Sequence, residues 1–377
     1  MEIYLDNAAT TRVCPEAAET AYKVMTEEYG NPGSTHAKGR SARKLLDRAR
    51  QQVAQAMGAR EGEIFFTSGG TESDNWALRS AAAALGRKGG HIITGATEHE
   101  AVLQTVELLR RQGYEVSILP PDESGAVSPQ AVRAALREDT ILVSLMLVNN
   151  ETGAVTDLPG VSRVLKEGAP RALLHTDAVQ GFCKLPFTVR ELGADLISVS
   201  GHKIHAPKGI GALYMRSGVK LPPLILGGGQ ENGLRSGTEP LPAIAAFGTA
   251  AEIARRELPA ASERMRALRE ESIRTLRAAI PELQVLGGGA PHILSVSIPG
   301  YRSEVLMNYL EARGVYVSKS SACRRGRRSH VLEAMGVEDR VIDAALRVSF
   351  SRYTTQEDCR ALCQGLIAAR KELLGAL

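Results

Sequence analysis

Aromatic residues are scarce in this sequence: Phe, Trp and Tyr make up 4% of its 377 residues, and Trp occurs once. The cores must therefore be built mainly from Ala, Leu, Ile and Val. Long hydrophobic runs are also missing, and the longest, residues 141–148, is far too short to span a bilayer. The first residues show no basic region followed by an apolar stretch, so no signal peptide is indicated. We expect a cytoplasmic protein with no membrane partner.

The sequence has few cysteines, and it concentrates charge of one sign in only one short segment. The five cysteines are widely spaced and include no Cys-x-x-Cys pair, which argues against a disulfide framework and against a zinc site. We therefore expect no metal. The net charge of +4 is mild, and basic residues cluster only at 324–328 (RRGRR). Strong nucleic-acid binders usually concentrate more positive charge on one surface.

Apolar runs of strand length alternate with amphipathic segments from about residue 60 to 215. This alternation predicts an α/β fold with a mostly parallel sheet covered on both faces. The last hundred or so residues mix strand-like runs with helices, which predicts a smaller α+β domain. Before them, two helices are expected over 243–256 and 260–280, separated by Pro259. The predicted strands are 64–66, 91–94, 116–119, 141–148, 173–176, 196–200, 293–298, 315–318 and 346–350.

Two charged residues stand at the ends of predicted strands. Lys203 follows strand 196–200, at the strand end where α/β proteins bind ligands, and its amine can form a Schiff base with an aldehyde cofactor. Most lysines are simply solvated, so this signal is weak by itself. Asp177 follows strand 173–176, and a carboxylate there suits the pyridine nitrogen of pyridoxal phosphate (PLP). The alternative is that Asp177 caps the next helix.

A glycine-rich turn, TSGGTES at 67–73, lies between a predicted strand and a predicted helix. Backbone N–H groups at a helix N-terminus form an anion site suited to a phosphate. An ordinary capped turn is the alternative, because Thr71 followed by Asp74 resembles a capping box.

Together, and in this order, these elements closely resemble the cysteine desulfurases of the NifS/IscS type, which are fold-type I, class V aminotransferase-like PLP enzymes. The resemblance covers nearly the whole chain. Its further motifs are YLDNAATT at 4–11, GNPGS at 30–34, TEH at 97–99, VNNETG at 148–153, RSGT at 235–238, SSAC at 320–323 and LRVSFSRYT at 346–354.

The resemblance implies the fold-type I PLP-transferase architecture. A large α/β domain, residues 15–257, would carry a mostly parallel seven-stranded sheet and bind PLP. Residues 1–14 would pack against a smaller α+β C-terminal domain, residues 258–377, which would carry the catalytic cysteine loop. A homodimer is also implied.

Three catalytic residues follow from the resemblance. Lys203 would hold PLP as a Schiff base and later shuttle the α-proton, while His99 would stack on the pyridine ring and assist proton transfer. Cys323, in a small and basic stretch that favours a thiolate, would take the sulfur of L-cysteine as a persulfide and leave alanine. Among the cofactor ligands, Asp177 would pair with the ring nitrogen and Thr238 would come from the partner subunit. The implied cofactor-binding residues are Gly70, Thr71, His99, Asn150, Asp177, Gln180, Ser200, His202, Lys203 and Thr238.

Arg347 would bind the substrate carboxylate through its planar guanidinium, with Asn31, His36 and Asn150 lining the substrate mouth. The chain departs from the family pattern at residues 205–206 (HA), at 324–325 (RR) and in a shorter stretch after Cys323. These departures leave the acceptor protein open; an iron–sulfur scaffold or a tRNA-thiolation enzyme would fit.

Three other functions are weighed against this one. Selenocysteine lyase shares the fold and cofactor. Transamination would leave Cys323 without a purpose. A scaffold- or RNA-binding module using residues 324–328 would leave Lys203, Asp177 and the glycine-rich turn unexplained.

Overall fold

The computed structural model describes residues 2–86, 90–319 and 328–373. In chain order its strands are β1 Ile3–Tyr4, β2 Ile64–Thr67, β3 His91–Gly95, β4 Glu115–Leu119, β5 Thr140–Ser144, β6 Leu173–Asp177, β7 Leu196–Ser200, β8 Gly211–Met215, β9 Gln284–Val285, β10 Ile293–Ser297, β11 Val315–Tyr316, β12 Ser318–Lys319 and β13 Ala345–Ser349. Its helices are α1 Pro15–Thr26, α2 Ala37–Met57, α3 Gly70–Leu85, α4 Glu100–Arg111, α5 Pro129–Ala135, α6 Leu158–Gly168, α7 Val189–Leu192, α8 Leu241–Ala279, α9 Ser303–Glu311, α10 His330–Ala334, α11 Asp339–Ile342 and α12 Gln356–Glu372.

The larger sheet has seven strands in the order β2-β8-β7-β6-β5-β3-β4. Only β8 runs antiparallel to its neighbours in this sheet. Every residue of β6 (LLHTD) and β7 (LISVS) is buried, the polar ones included, as expected of strands that are covered on both faces. The predicted mostly parallel sheet of seven strands is confirmed.

Two strand predictions, 315–318 and 141–148, need correction. The first is divided into β11 and β12, which belong to different sheets. The run 141–148 was expected to be one strand, but β5 ends at Ser144. Beyond it the backbone amide of Met146 donates to the Glu98 carboxylate (2.9 Å), and Val148 forms an isolated bridge with Val155. The chain therefore leaves the sheet while its apolar side chains stay buried. Strand β8 was not predicted.

A second group of strands has its own core. The four-stranded sheet β12-β13-β10-β9 is antiparallel, and β1 pairs with β11 in a separate two-stranded sheet. Leu5, near the start of the chain, is buried in the same core as Leu346 and Leu362. The N-terminal segment thus packs with C-terminal strands. The exact domain boundaries at 14 and 257 stay a prediction.

One long helix, α8, connects the two cores. Two helices separated by Pro259 were expected, and this prediction is wrong, because α8 runs from Leu241 to Ala279 with Pro259 inside it. An interior proline removes one helical hydrogen bond and costs about 3 kcal/mol. Burial on both sides offsets that cost: Phe247 packs in the larger core, and Met265 packs in the smaller one. None of the helices in the described ranges is long and apolar enough to cross a membrane.

Candidate active site

The candidate residues of the larger sheet follow directly after its strands. Asp177 is the last residue of β6, and Lys203 lies in a 3-10 turn, Gly201–Lys203, that follows β7. His99 is the N-cap residue of α4, shortly after β3. Because β3, β6 and β7 run in the same direction, these side chains meet at one edge of the sheet, where α/β proteins bind ligands.

The amine of Lys203 is oriented by the N-terminal segment. Its Nζ donates to the carbonyl oxygens of Ala8 (2.6 Å) and Ala9 (2.7 Å). The Ala8 carbonyl also accepts a hydrogen bond from Gln180 Nε2 at 2.8 Å. The segment 4–11 therefore fixes the position of the amine that a Schiff base requires.

Asp177 belongs to a buried acidic cluster with His99 and Asp74, a residue of α3. One ligand atom of each residue lies within 4.8 Å of the others. The pKa of Asp177 is raised, mainly by burial, while the nearby His99 ring, the hydrogen bond from the Val179 amide and the charge of Lys203 act against this shift. Burial first, and then the charge of Asp177, raise the pKa of Asp74 well above its usual value. Asp74 is therefore the protonated member of the pair, because two carboxylates at this distance do not both ionise.

His175, on β6, lies within the same buried region and carries no charge. Its Nδ1 is 2.8 Å from Ser144 Oγ, and its Nε2 is 3.0 Å from Ser198 Oγ. Burial lowers the pKa of His175 to about 3, so the ring is neutral at physiological pH. His175 is therefore not a cationic partner for Asp177.

The surroundings of Asp177 fit the pyridine nitrogen of PLP. In the described ranges this carboxylate accepts one hydrogen bond, from the backbone amide of Val179 at 2.9 Å. A buried carboxylate needs further donors or an opposite charge. A protonated ring nitrogen provides both. His99 accepts a hydrogen bond from the backbone amide of Ala101 through Nδ1 (3.1 Å), so its neutral ring carries the proton on Nε2.

The N-terminus of α3 forms a cradle suited to the cofactor phosphate. Gly70 begins the helix, and a side chain there would come within 2.7 Å of Val179 Cγ2. Glycine is thus required by close packing. Ser200 is buried next to the turn, with its Oγ 3.8 Å from the position of a Cβ at Gly69. The first N–H groups of a helix have no acceptor within the helix, and Thr71, exposed in the first turn, adds a hydroxyl.

Two predicted cofactor ligands are held by other protein groups. Gln180 is buried, and besides Ala8 it contacts Lys184, whose Nζ donates to Gln180 Oε1 at 3.3 Å. His202 Nδ1 is 3.1 Å from Thr10 Oγ1. Burial, followed by the charge of Lys203, lowers the pKa of His202 to about 4. Its ring is therefore neutral and can donate one hydrogen bond to an anion.

Arg347 lies on β13 of the four-stranded sheet and reaches the same region. It is buried (2% exposed); its Nη2 donates to Asp6 Oδ1 (2.9 Å) and its Nη1 to the Asn150 carbonyl (3.0 Å). Its Nε is buried and has no hydrogen-bond partner among the residues that the structure describes. A guanidinium with an unused buried donor is suited to a substrate carboxylate.

Three other predicted residues do not join this cluster within the single chain. Thr238 is exposed. Asn31 Oδ1 accepts from the Gly33 amide, and His36 caps α2 by accepting from the Gly39 amide. Cys323 and the basic segment 324–327 lie outside the described residues.

Sequence reasoning missed two partners at this site. Asp6, which pairs with Arg347, lies in the motif YLDNAATT but was given no role. Asp74 was read only as part of a capping box, although a buried acid on an otherwise apolar helix face is a signal of its own.

Comparisons with known proteins match the chain along nearly its whole length. The model of the aminotransferase class-V family matches residues 3–362. A protein named cysteine desulfurase IscS from Methanosarcina thermophila is 43% identical over 361 residues, covering 94% of this chain and 89% of that protein. A protein of the same name from Serratia proteamaculans is 43% identical over 368 residues, covering 95% and 90%.

Solved structures give the same result. A structure described as a NifS-like protein superposes with a TM-score of 0.93 at 40% identity, and it covers 99% of this chain and 100% of that one. DndA from Streptomyces lividans gives a TM-score of 0.76 at 39% identity, covering 92% and 99%. The predicted family, fold and PLP dependence are confirmed. The chain belongs to the aminotransferase class-V family of PLP-dependent enzymes.

Proposed function

We propose that this protein is a PLP-dependent cysteine desulfurase that moves the sulfur of L-cysteine to its own Cys323 and then to an acceptor. The activity is the one carried by the names of its relatives. The observation that carries the proposal is the meeting of Lys203, Asp177 and His99 at one sheet edge, with Arg347 reaching that region from the other sheet.

The cofactor would be held by residues of the larger sheet. When bound, PLP supplies an aldehyde for the lysine amine and a ring that accepts electron density from the substrate carbon. Asp177 would bind its ring nitrogen, His99 would stack on the ring, and Gln180 and Asn150 would contact the hydroxyl side. The phosphate would be bound by Gly70, Thr71, Ser200 and His202.

Protein groups then orient the substrate and move its protons. Arg347 would bind the cysteine carboxylate, using the Nε donor that has no partner within residues 2–86, 90–319 and 328–373. Lys203 would take the α-proton, since its amine is fixed by the Ala8 and Ala9 carbonyls at the sheet edge. His99, with Nε2 protonated in the neutral ring, would assist that transfer.

Cys323 would complete the sulfur transfer. Its thiolate attacks the substrate sulfur, so that a new S–S bond forms while the Cβ–S bond of the substrate breaks. The electron pair of the broken bond stays with the carbon, which takes a proton and leaves as alanine. Cys323 keeps the transferred sulfur as a persulfide, and no external oxidant or reductant is needed.

A homodimer with a shared phosphate site is part of the proposal. Thr238 would bind the phosphate of the partner subunit, which agrees with its exposure in the single chain. Leu226 on the same loop region is 82% exposed, as expected of a residue that a second copy covers. Thr238→Ala should weaken PLP retention without unfolding the protein; light scattering of the wild type should show a dimer.

A cytoplasmic acceptor, either an iron–sulfur scaffold or a tRNA-thiolation enzyme, would receive the sulfur.

The test is to follow alanine release and persulfide formation from L-cysteine. Brief treatment of the wild type followed by mass spectrometry should place an added sulfur on the Cys323 peptide. Cys323→Ala should bind PLP and still show a spectral change with L-cysteine, yet release almost no alanine. The buried Cys359→Ala is the matched control and should keep its activity. Wild-type alanine release by Cys323→Ala, with reductant present, would sink the proposal.

The same assay separates selenocysteine lyase. That alternative predicts rapid turnover of L-selenocysteine by both wild type and Cys323→Ala, with little turnover of L-cysteine. A cysteine desulfurase needs Cys323 for L-cysteine.

A further inference from the structure

A small cavity lies where α8 meets the N-terminal segment, the loop after β6 and the segment after β13. Its volume is about 30 Å³, which is room for one or two water molecules or one small ion. Apolar side chains such as Met265 and Phe350 form part of its wall. The charged and polar part of the wall includes Cys183, Lys184, Lys203, His205 and Arg352.

Arg352 is the side chain in this wall whose donors are least satisfied. The residue is 8% exposed, and its Nε and Nη2 are buried without a hydrogen-bond partner in the part of the chain that the structure describes. The paired carboxylate, Glu257, lies 3.5 Å from Nε, beyond good hydrogen-bond distance, and is 42% exposed. A buried guanidinium with two unused donors is costly unless something else fills the space.

Lys184 adds a second buried cation to the same wall. It is 7% exposed, and its Nζ donates a hydrogen bond to the neutral amide of Gln180 at 3.3 Å. Its charged surroundings are positive as well, because Lys203 and Arg347 repel its ammonium. Burial, followed by these two charges, lowers the pKa of Lys184 to about 7.

Neither of the other titratable groups in the wall supplies a negative charge. Burial raises the pKa of the Cys183 thiol to about 12, even though Arg352, Arg255 and Lys184 act against that shift. Burial and then Arg352 lower the pKa of His205 to about 4, so this ring is neutral. Among the described residues the cavity wall therefore contains cations without a buried carboxylate.

We propose that this cavity binds one small monovalent anion, such as chloride, between the guanidinium of Arg352 and the amine of Lys184. The anion would accept the hydrogen bonds that Nε and Nη2 of Arg352 do not otherwise make. A water molecule could accept those hydrogen bonds but would bring no negative charge to Lys184 or to Arg352, whose carboxylate partner Glu257 is partly exposed and lies 3.5 Å away. The cavity volume excludes larger anions such as gluconate.

This anion would join parts of both cores. Arg352 lies three residues beyond the strand that carries Arg347, and Lys184 lies on the loop that follows Asp177. The site stabilises the contact between the two sheets and is separate from the PLP phosphate cradle at α3. It does not depend on which amino acid the enzyme desulfurates.

Bromide crystallography tests the site directly. Bromide replaces chloride and scatters anomalously, so crystals of the holoenzyme grown in sodium bromide should show an anomalous peak within hydrogen-bond distance of Arg352 Nε and Nη2. Crystals grown in sodium chloride should show density there that refines as chloride. A water molecule in that position in both crystals would overturn the proposal.

Thermal unfolding of the holoenzyme tests the same site in solution. At equal ionic strength, exchanging sodium gluconate for sodium chloride should raise the Tm of the wild type by roughly 2–4 °C. Arg352→Gln should lose this increment. Lys184→Met should lose most of it, and this second variant tests the site even if Arg352→Gln does not fold. Arg274→Gln, on an exposed part of α8, is the control and should keep it. An equal increment in all four proteins, or none in the wild type, contradicts the site.

Discussion

The seven-stranded and four-stranded sheets present their functional residues in different ways. In the larger sheet, His99, Asp177 and Lys203 follow the ends of strands, on short connections whose positions are set by a buried parallel sheet. In the smaller sheet, Arg347 lies inside a strand, paired with Ser295 on one side and Ser318 on the other.

In the proposed function, this difference separates cofactor binding from substrate binding. The larger sheet carries most of the groups that suit PLP, whereas the smaller sheet contributes the guanidinium that suits a carboxylate. The two are joined by Arg347 itself, which contacts Asp6 and the carbonyl of Asn150. Because the cofactor groups and the guanidinium lie on different sheets, a substitution on one side should leave the measured property of the other side largely intact.

The largest effect is expected from Lys203→Ala. Removing the amine takes away both the Schiff base and the group that moves the α-proton, so turnover should fall by roughly 10³-fold or more. The visible absorbance of the purified enzyme should also disappear. The exposed neighbour Lys208 is the control, and Lys208→Ala should keep its colour and its rate. A yellow, active Lys203→Ala enzyme would remove the central role of this lysine.

A pair of substitutions in the acidic cluster should sharpen the comparison. Asp177→Asn removes the charge that would hold the ring nitrogen protonated, and we expect kcat to fall by about 10²-fold or more. Asp74→Asn should change kcat by only a few-fold, because the raised pKa of Asp74 already keeps this residue neutral. Steady-state kinetics on both variants checks this. Equal losses of kcat in the two variants would show that Asp74 has a role in catalysis beyond that of a neutral neighbour of Asp177.

Arg347→Ala should affect the substrate rather than the cofactor. Losing a charge-assisted contact of about 1.5–3 kcal/mol corresponds to a rise in KM of roughly 10- to 150-fold. The cofactor spectrum should stay nearly unchanged, because the cofactor groups belong to the other sheet. Arg340→Ala, at an exposed position, is the control. A lost spectrum with an unchanged KM would mean that Arg347 supports the cofactor site instead.

Local patterns were enough for the elements that position the cofactor. The strands before Asp177 and Lys203 are short runs rich in apolar residues, and their length favours a buried strand over a helix. Their parallel arrangement followed from the alternation with helices. The resemblance to known motifs then supplied the family and the cofactor, both confirmed. The roles of the individual residues stay predictions.

Long-range contacts were out of reach of that reasoning. The partner of Arg347 is Asp6, 341 residues away, and no local pattern joins them. Pro259 was read as a helix break because local propensity says so, whereas packing against two cores keeps α8 continuous. The run 141–148 is apolar to its end, so its sequence does not show that the chain leaves the sheet after Ser144.

The last expected effect is on stability rather than on catalysis, and it concerns His292, the residue before β10. Its ring is fully buried, and neither nitrogen has a hydrogen-bond partner among the described residues. Burial, and then the charge of Lys184, lower the pKa of His292 well below 6.5. Below pH 6.5 the unfolded chain takes up a proton at this ring that the folded protein does not, so this residue makes the folded state less stable as the pH falls.

His292→Leu should therefore raise the free energy of unfolding by about 1 kcal/mol at pH 7.5, because the unpaired ring nitrogens are removed. The advantage should grow by up to about 1.4 kcal/mol for each pH unit between 6.5 and 5. His292→Gln separates the effect of the unpaired polar atoms from the effect of titration, since it keeps a polar group but does not titrate. Its free energy of unfolding should show the gain that grows as the pH falls, and little of the gain that is present at pH 7.5. Urea unfolding of the three proteins from pH 5 to 7.5 measures both terms. If the free energies of unfolding of the wild type and His292→Leu change with pH in parallel, the folded protein accepts the proton at His292. The buried surroundings of this ring would then tolerate a positive charge.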